Sequence, residues 1–444
     1  MRLIRLLKND LARESAEWVD DGLISRDQAE AICGRYGVDY EQARHRSFGY
    51  NVLVGLGFLF IGLALITLLG ANWDNIPRAV RMWGLIGLTV GTQGMGLKRY
   101  LSGDSGGGIG LFLLGNLFFG ASIILIAQIY HLGEYMPDGI FWWALGCLPF
   151  ALLTRNPWLA MQAGLLGLLW FFMDVSFGFY PALFPLFIIA MLYVLLRGPQ
   201  SVLLLLLVIA SAGFWIEYSL AALWRYESGF YLFDLHAENL AVAAAMFLLL
   251  SVFSQWLSGR ESNVARDYAA VISVWCLRFA VLSLLVLGFA GPWEELLDAG
   301  WQHRLGMWLV LLLFAVATVW LGRRAGRRVF PAVLLAALWL VVLAVSTVRN
   351  EDYAVYFQVA ANFLMIGFGI WLVVRGIHSG ISHYFFLGVA AILVTAFLRY
   401  IDLIGDYIGG AVMFALFALL LLGAARYWKH YQAALDETDR EKRP

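Results

Sequence analysis

The chain has 444 residues, of which 61% are hydrophobic and only 14% charged, and its 31 basic and 31 acidic residues cancel. Soluble domains carry roughly a quarter charged residues, so this composition excludes nucleic-acid binding as a main activity, a secreted disulfide-stapled module and a large water-soluble catalytic domain. It points to an all-α, polytopic membrane protein whose first partner is the lipid bilayer.

Arg2, Arg5 and Lys8 give the N-terminus a basic start, but no apolar core of a targeting peptide follows them, so the segment is expected to stay on the protein. Leu3, Leu6, Leu7, Leu11, Trp18 and Val19 recur at helical spacing, and Gly22 sits where that helix stops. Ser25 and Gln28 then form a capping box for a second helix. Residues 3 to about 36 read as a small helical hairpin, and a third short helix from about Tyr40 runs into the first membrane segment. This cytosolic domain, residues 1–48, is the expected docking module for any cytosolic protein partner.

About fourteen apolar segments follow, at 50–71, 80–98, 109–130, 138–153, 157–173, 180–196, 201–222, 237–257, 268–290, 305–321, 329–347, 354–374, 383–400 and 405–427. They divide into an N-terminal membrane bundle, 49–200, and a C-terminal one, 201–428, before a cytosolic tail, 429–444. The closest-spaced breaks are at Arg155-Asn156-Pro157 and from Asp174 to Pro181. A single helix over 138–173 would be about 54 Å long at 1.5 Å per residue, far beyond a hydrocarbon core of about 30 Å, so these segments are kept apart. Gly106-Gly107-Gly108 reads as a flexible linker. Basic residues, among them Arg323, Arg324, Arg327 and Arg328, gather on the side that holds both termini, which the positive-inside rule assigns to the cytoplasm.

Two blocks, LLGANWDNIPRAVRM at 68–82 and GNLFFGASIILIAQIYHLGEYMPDGIFWWALGCLPFALL from Gly115, resemble the bacterial membrane proteins grouped as domain of unknown function 2157. The prelude DGLISRDQAEAICGRYG is similar as well. The resemblance covers about the first third of the chain and implies a multi-pass inner-membrane protein; the family has no established activity to carry over.

Chemistry must then come from polar groups at membrane depth, which are costly and tend to face a bundle interior. Ends of odd-numbered segments place Asn72, Trp73, Asp74, Gln128, His131, Glu134, Arg399, Asp402 and Asp406 near the periplasmic face, with Arg78 starting the return. Together they form one candidate polar cavity, suited to an anionic ligand or to proton transfer. The structural alternative is a perimeter of helix caps and interfacial anchors. Glu217 and Arg278, each inside a segment, are expected to pair.

Gly103-Asp104-Ser105-Gly106-Gly107 matches the G-x-S-x-G nucleophile pattern, but no strand precedes it and no histidine is near in sequence to serve as base. His131-x-x-Glu134 has the spacing of two metal ligands on one helical turn without a third, so no metal site is assigned. Walker A, H-E-x-x-H and C-x-x-C patterns are absent, no cofactor is called for, and no catalytic residue is assigned. Gly55, Gly57, Gly62, Gly87 and Gly91 read as helix contacts. Cys33, Cys147 and Cys276 are too few and scattered for a disulfide framework. Three functions are ranked on these grounds: a transporter or lipid or solute flippase, a non-catalytic membrane scaffold, and a membrane-embedded transferase with a lipid-linked donor.

Overall fold

The structure is a computed structural model that describes residues 21–35, 77–131, 135–224, 236–301, 303–326, 329–348, 350–379 and 382–403, with a few isolated positions besides. The capping box forms as the sequence dictates. The Ser25 N–H donates to Gln28 Oε1 at 2.9 Å and the Gln28 N–H to Ser25 Oγ at 3.3 Å, starting α1 (Arg26–Arg35). Gly22, at φ +72°, takes the left-handed turn before it.

Every described regular element is helical, and predicted segments two to thirteen each coincide with a helix. In order these are α2 (Arg78–Leu101), α3 (Ser105–Tyr130), α4 (Met136–Thr154), α5 (Pro157–Ser176), α6 (Pro185–Arg197), α7 (Val202–Leu223), α8 (Ala237–Ser258), α9 (Asn263–Val286), α11 (Arg304–Arg324), α12 (Val329–Val348), α13 (Ala354–Ser379) and α14 (Ser382–Leu403). Between α9 and α11 lies a short helix that the sequence reading does not foresee, α10 (Gly291–Asp298). Among the described residues nine helices are long and apolar enough to cross a membrane, so the protein is an all-α, multi-pass membrane protein. Segments one and fourteen fall mostly outside the described residues.

The chain divides into two units, residues 1–234 with 262–270 and residues 235–261 with 271–444; the division runs through α9. In the first unit α2 and α3 form an antiparallel hairpin. Asp104 caps α3 by accepting the Gly107 N–H at 3.0 Å. The glycine run at 106–108 is therefore not a flexible linker: it is the first turn of α3, and Gly108 lies so close to α2 that a Cβ would sit 2.9 Å from the Tyr100 backbone nitrogen. Tertiary contact here outweighs the low helix propensity of glycine. Arg155, at φ 50°, ends α4; Asn156 caps α5 and Pro157 occupies its first turn. Segments four, five and six are thus separate helices. Their core is aromatic: Phe171, Phe184 and Phe187 are fully buried, with Phe171 and Phe184 ring centroids 4.6 Å apart.

In the second unit α8 packs on α11 and α12, and α13 forms a close hairpin with α14. Glycine makes that hairpin possible. A Cβ on Gly388 would fall 2.5 Å from the Gly369 carbonyl oxygen, and one on Gly376 would fall 2.5 Å from the Phe385 nitrogen, so the two backbones touch.

Candidate functional site

Of the expected cavity, Arg78 begins α2, Gln128 lies in the last turn of α3 and His131 ends it; all three are exposed, and the hairpin sets them at one end of the first unit. His131 is itself the left-handed cap of α3, at φ 51°. Asn72, Trp73, Asp74, Glu134 and Asp406 lie outside the described residues, and Asp402 is placed in α14 by its backbone alone.

Arg399 belongs to the second unit. With Thr395 and Leu398 of α14, Asn362 of α13 and Leu284 and Leu285 of α9, it lines a crevice of about 180 Å³, nowhere wide enough for a water molecule. The crevice sits beside a helix break. α9 stops at Val286, the chain turns through Leu287–Ala290, and α10 begins at Gly291. The break frees backbone carbonyls, and Asn362 Nδ2 donates to the Gly288 oxygen at 3.0 Å and to the Gln358 oxygen at 2.8 Å. The Arg399 guanidinium lies 4.8 Å from the centroid of the Phe289 ring. The Thr395 hydroxyl donates to the Ala391 oxygen at 2.8 Å, so the amide and hydroxyl donors are engaged within the fold, and Arg399 supplies the positive charge of the crevice at the end of α9.

Two buried carboxylates escape the sequence reading. Glu238, 2% exposed, lies in the first turn of α8, and its Oε1 accepts the backbone N–H of His303, the N-cap of α11, at 2.9 Å. One negative charge therefore serves two helix N-termini, where both dipoles favour it. The rings of His236 and His303 stand 5.8 Å apart beside it. In the first unit Asp174, 7% exposed, accepts a short hydrogen bond from the Tyr135 hydroxyl. Burial, then that bond to a carboxylate, pushes the Tyr135 hydroxyl well above the usual phenol range, so it stays a donor. Among the described residues no set of three or more His, Cys, Asp or Glu side chains is placed to hold a metal ion.

A seam of amides runs through the first unit at membrane depth. Gln162 Nε2 donates to the Leu113 oxygen at 3.1 Å, Asn116 Nδ2 to Gln162 Oε1 at 2.8 Å, and Gln93 Nε2 to Asn116 Oδ1 at 3.0 Å. Because the Leu113 carbonyl can only accept, it fixes the orientation of every amide in turn. Trp143 Nε1 closes the seam on the Asn116 backbone oxygen at 2.7 Å. Such bonds hold helices together where no water competes.

Glu217 is half-buried on α7, while Arg278 is exposed on α9 with its guanidinium 5.5 Å from the Trp275 ring. They belong to different units of the chain. Asp174 and Glu238 both lie within one turn of a segment end, but their partners Tyr135 and His303 are 39 and 65 residues away, so nothing local in the sequence signals their burial. The amides of the seam carry no charge to betray them.

No curated protein and no solved structure matches the chain. Residues 16–160, roughly the first third, match the family model described as Predicted membrane protein (DUF2157), so the similarity read from residues 68–82 and from the stretch after Gly115 is upheld.

Proposed function

We propose that this membrane protein is a transporter for a small anionic solute, with Arg399 as the charge that receives it. The observation that supports this reading is the crevice at the break between α9 and α10, where Asn362, Thr395 and Arg399 converge among leucines. Arg399 stands at the end of the apolar stretch of α14, where the periplasmic face is expected. Helices interrupted beside a polar site are what transporters use to bind ions and carboxylates. Purified protein in proteoliposomes, offered radiolabelled phosphate, sulfate, succinate and glutamate, should take up at least one of them. Arg399→Gln should cut that uptake by about tenfold or more, equivalent to one lost charge-assisted contact. Uptake of none of the four by the wild-type protein, or equal uptake by the variant, would put the scaffold first. That second reading has the amide seam in its favour, since it ties α2, α3 and α5 to one another.

We further infer a bacterial inner-membrane location with both termini in the cytoplasm, because Arg323, Arg324, Arg327 and Arg328 fall on the side of the termini. Alkaline phosphatase fused after residue 444 should be inactive, and a green fluorescent protein fusion there should glow. An active phosphatase would mean an odd number of spans.

A further inference from the structure

Of the nine helices among the described residues that are long and apolar enough to cross a membrane, α9 is the least covered by protein: only 17% of its most apolar stretch is buried, against 50% for α5. Trp275, Leu282 and Val286 are 50%, 61% and 47% exposed, Arg278 is exposed with them, and their spacing sets all four on one stripe. Arg278 lies about 12 Å short of the end of α9 at 1.5 Å per residue. Among the described residues of its own unit no acid pairs with it; its guanidinium rests against the Trp275 ring. A guanidinium facing acyl chains is unfavourable unless an anion meets it.

We propose that the Trp275–Arg278 stripe binds the phosphate of an anionic membrane lipid. The phosphodiester is the bilayer's own anion, and its paired oxygens match the two-pronged guanidinium. An arginine that swings away from Trp275 recovers roughly half of the 12 Å, and local thinning of the bilayer brings the phosphate down to meet it. Leu282 and Val286 then line the path between the charge and the membrane surface, where glycerol and the first acyl carbons lie. Trp275 closes the lower end as an apolar floor. The site does not depend on transport through the Arg399 crevice.

The test is native mass spectrometry of the full chain released from nanodiscs of phosphatidylglycerol or of phosphatidylcholine. Wild type should retain phosphatidylglycerol more tightly than Arg278→Gln by at least about fivefold, with one fewer lipid held per variant chain. Arg278→Lys should fall between them, and phosphatidylcholine retention should not differ. Added inorganic phosphate should not displace the lipid; displacement would make this a site for free anions and overturn the lipid assignment. Equal phosphatidylglycerol retention by wild type and Arg278→Gln would also overturn it. Glu217→Gln should leave retention unchanged, and a rise there would make Glu217 the partner of Arg278 and end the proposal. Changing an exposed residue on a lipid-facing helix does not threaten folding, so both Arg278 variants remain measurable.

Discussion

Gly388→Val destabilises the protein by about 3 kcal/mol or more, because the added carbons enter the backbone of α13 rather than a side chain that can turn aside. The nearest atom to any Cβ at this position is the Gly369 carbonyl oxygen at 2.5 Å, and Leu372 Cβ follows at 2.9 Å. Neither yields without parting α13 from α14. Gly91→Ala supplies the contrast: nothing lies within 4 Å of its Cβ position in α2, so this change leaves stability equal or raises it by roughly 0.5 to 1 kcal/mol through helix propensity. Thermal unfolding in detergent, followed by tryptophan fluorescence, compares the two. If Gly388→Val melts with Gly91→Ala, the α13–α14 backbone contact is not what holds that pair.

The second large effect is at Glu238. Glu238→Ala strips the acceptor from the His303 N–H and leaves a buried donor at the start of α11, a loss of about 2 to 3 kcal/mol for a hydrogen bond to a charged group. Glu238→Gln keeps an acceptor oxygen but removes the charge that favours two helix N-termini, and should cost about 1 kcal/mol. The order alanine below glutamine below wild type is the expected result in the same unfolding assay. A glutamine variant as unstable as the alanine one would show that charge, and not the hydrogen bond, is what matters at this position.

Much of the fold is legible because lipid demands a continuous apolar helix for each crossing, and turn residues mark the ends. Arg155-Asn156-Pro157 announces its break through an Asn cap and a Pro in the first turn. Two features are hidden for physical reasons. GPWEELLD is too short and too acidic to register as membrane-spanning, yet it buries Trp293 and Leu297 as α10. Gly106–Gly108 has the composition of a linker, and only contact with Tyr100 reveals why a helix needs glycine there. The site divides in the same way. Arg399 is visible because it stands at the end of an apolar run, on the side where the other segment-end polar residues gather. Glu238 and Asp174 sit at segment edges, where one-dimensional hydropathy counts an acid as solvated, and their burial depends on which helices come to stand beside them. Gln93, Asn116 and Gln162 are unremarkable singly, and become a seam only when α2, α3 and α5 are brought together.

The backbone contact between α13 and α14 also has a mechanical meaning. Two helices that touch at Gly369, Gly376 and Gly388 have no layer of side chains between them to shear, so they travel as a single rigid body. Asn362 and Arg399 ride on opposite halves of that body, and the bond from Asn362 to the Gly288 oxygen is where it meets α9. In the proposed transporter, opening the crevice would be a swing of the whole pair about Gly288, with residues Leu287–Ala290 absorbing the change in backbone angle, and not the rotation of one side chain.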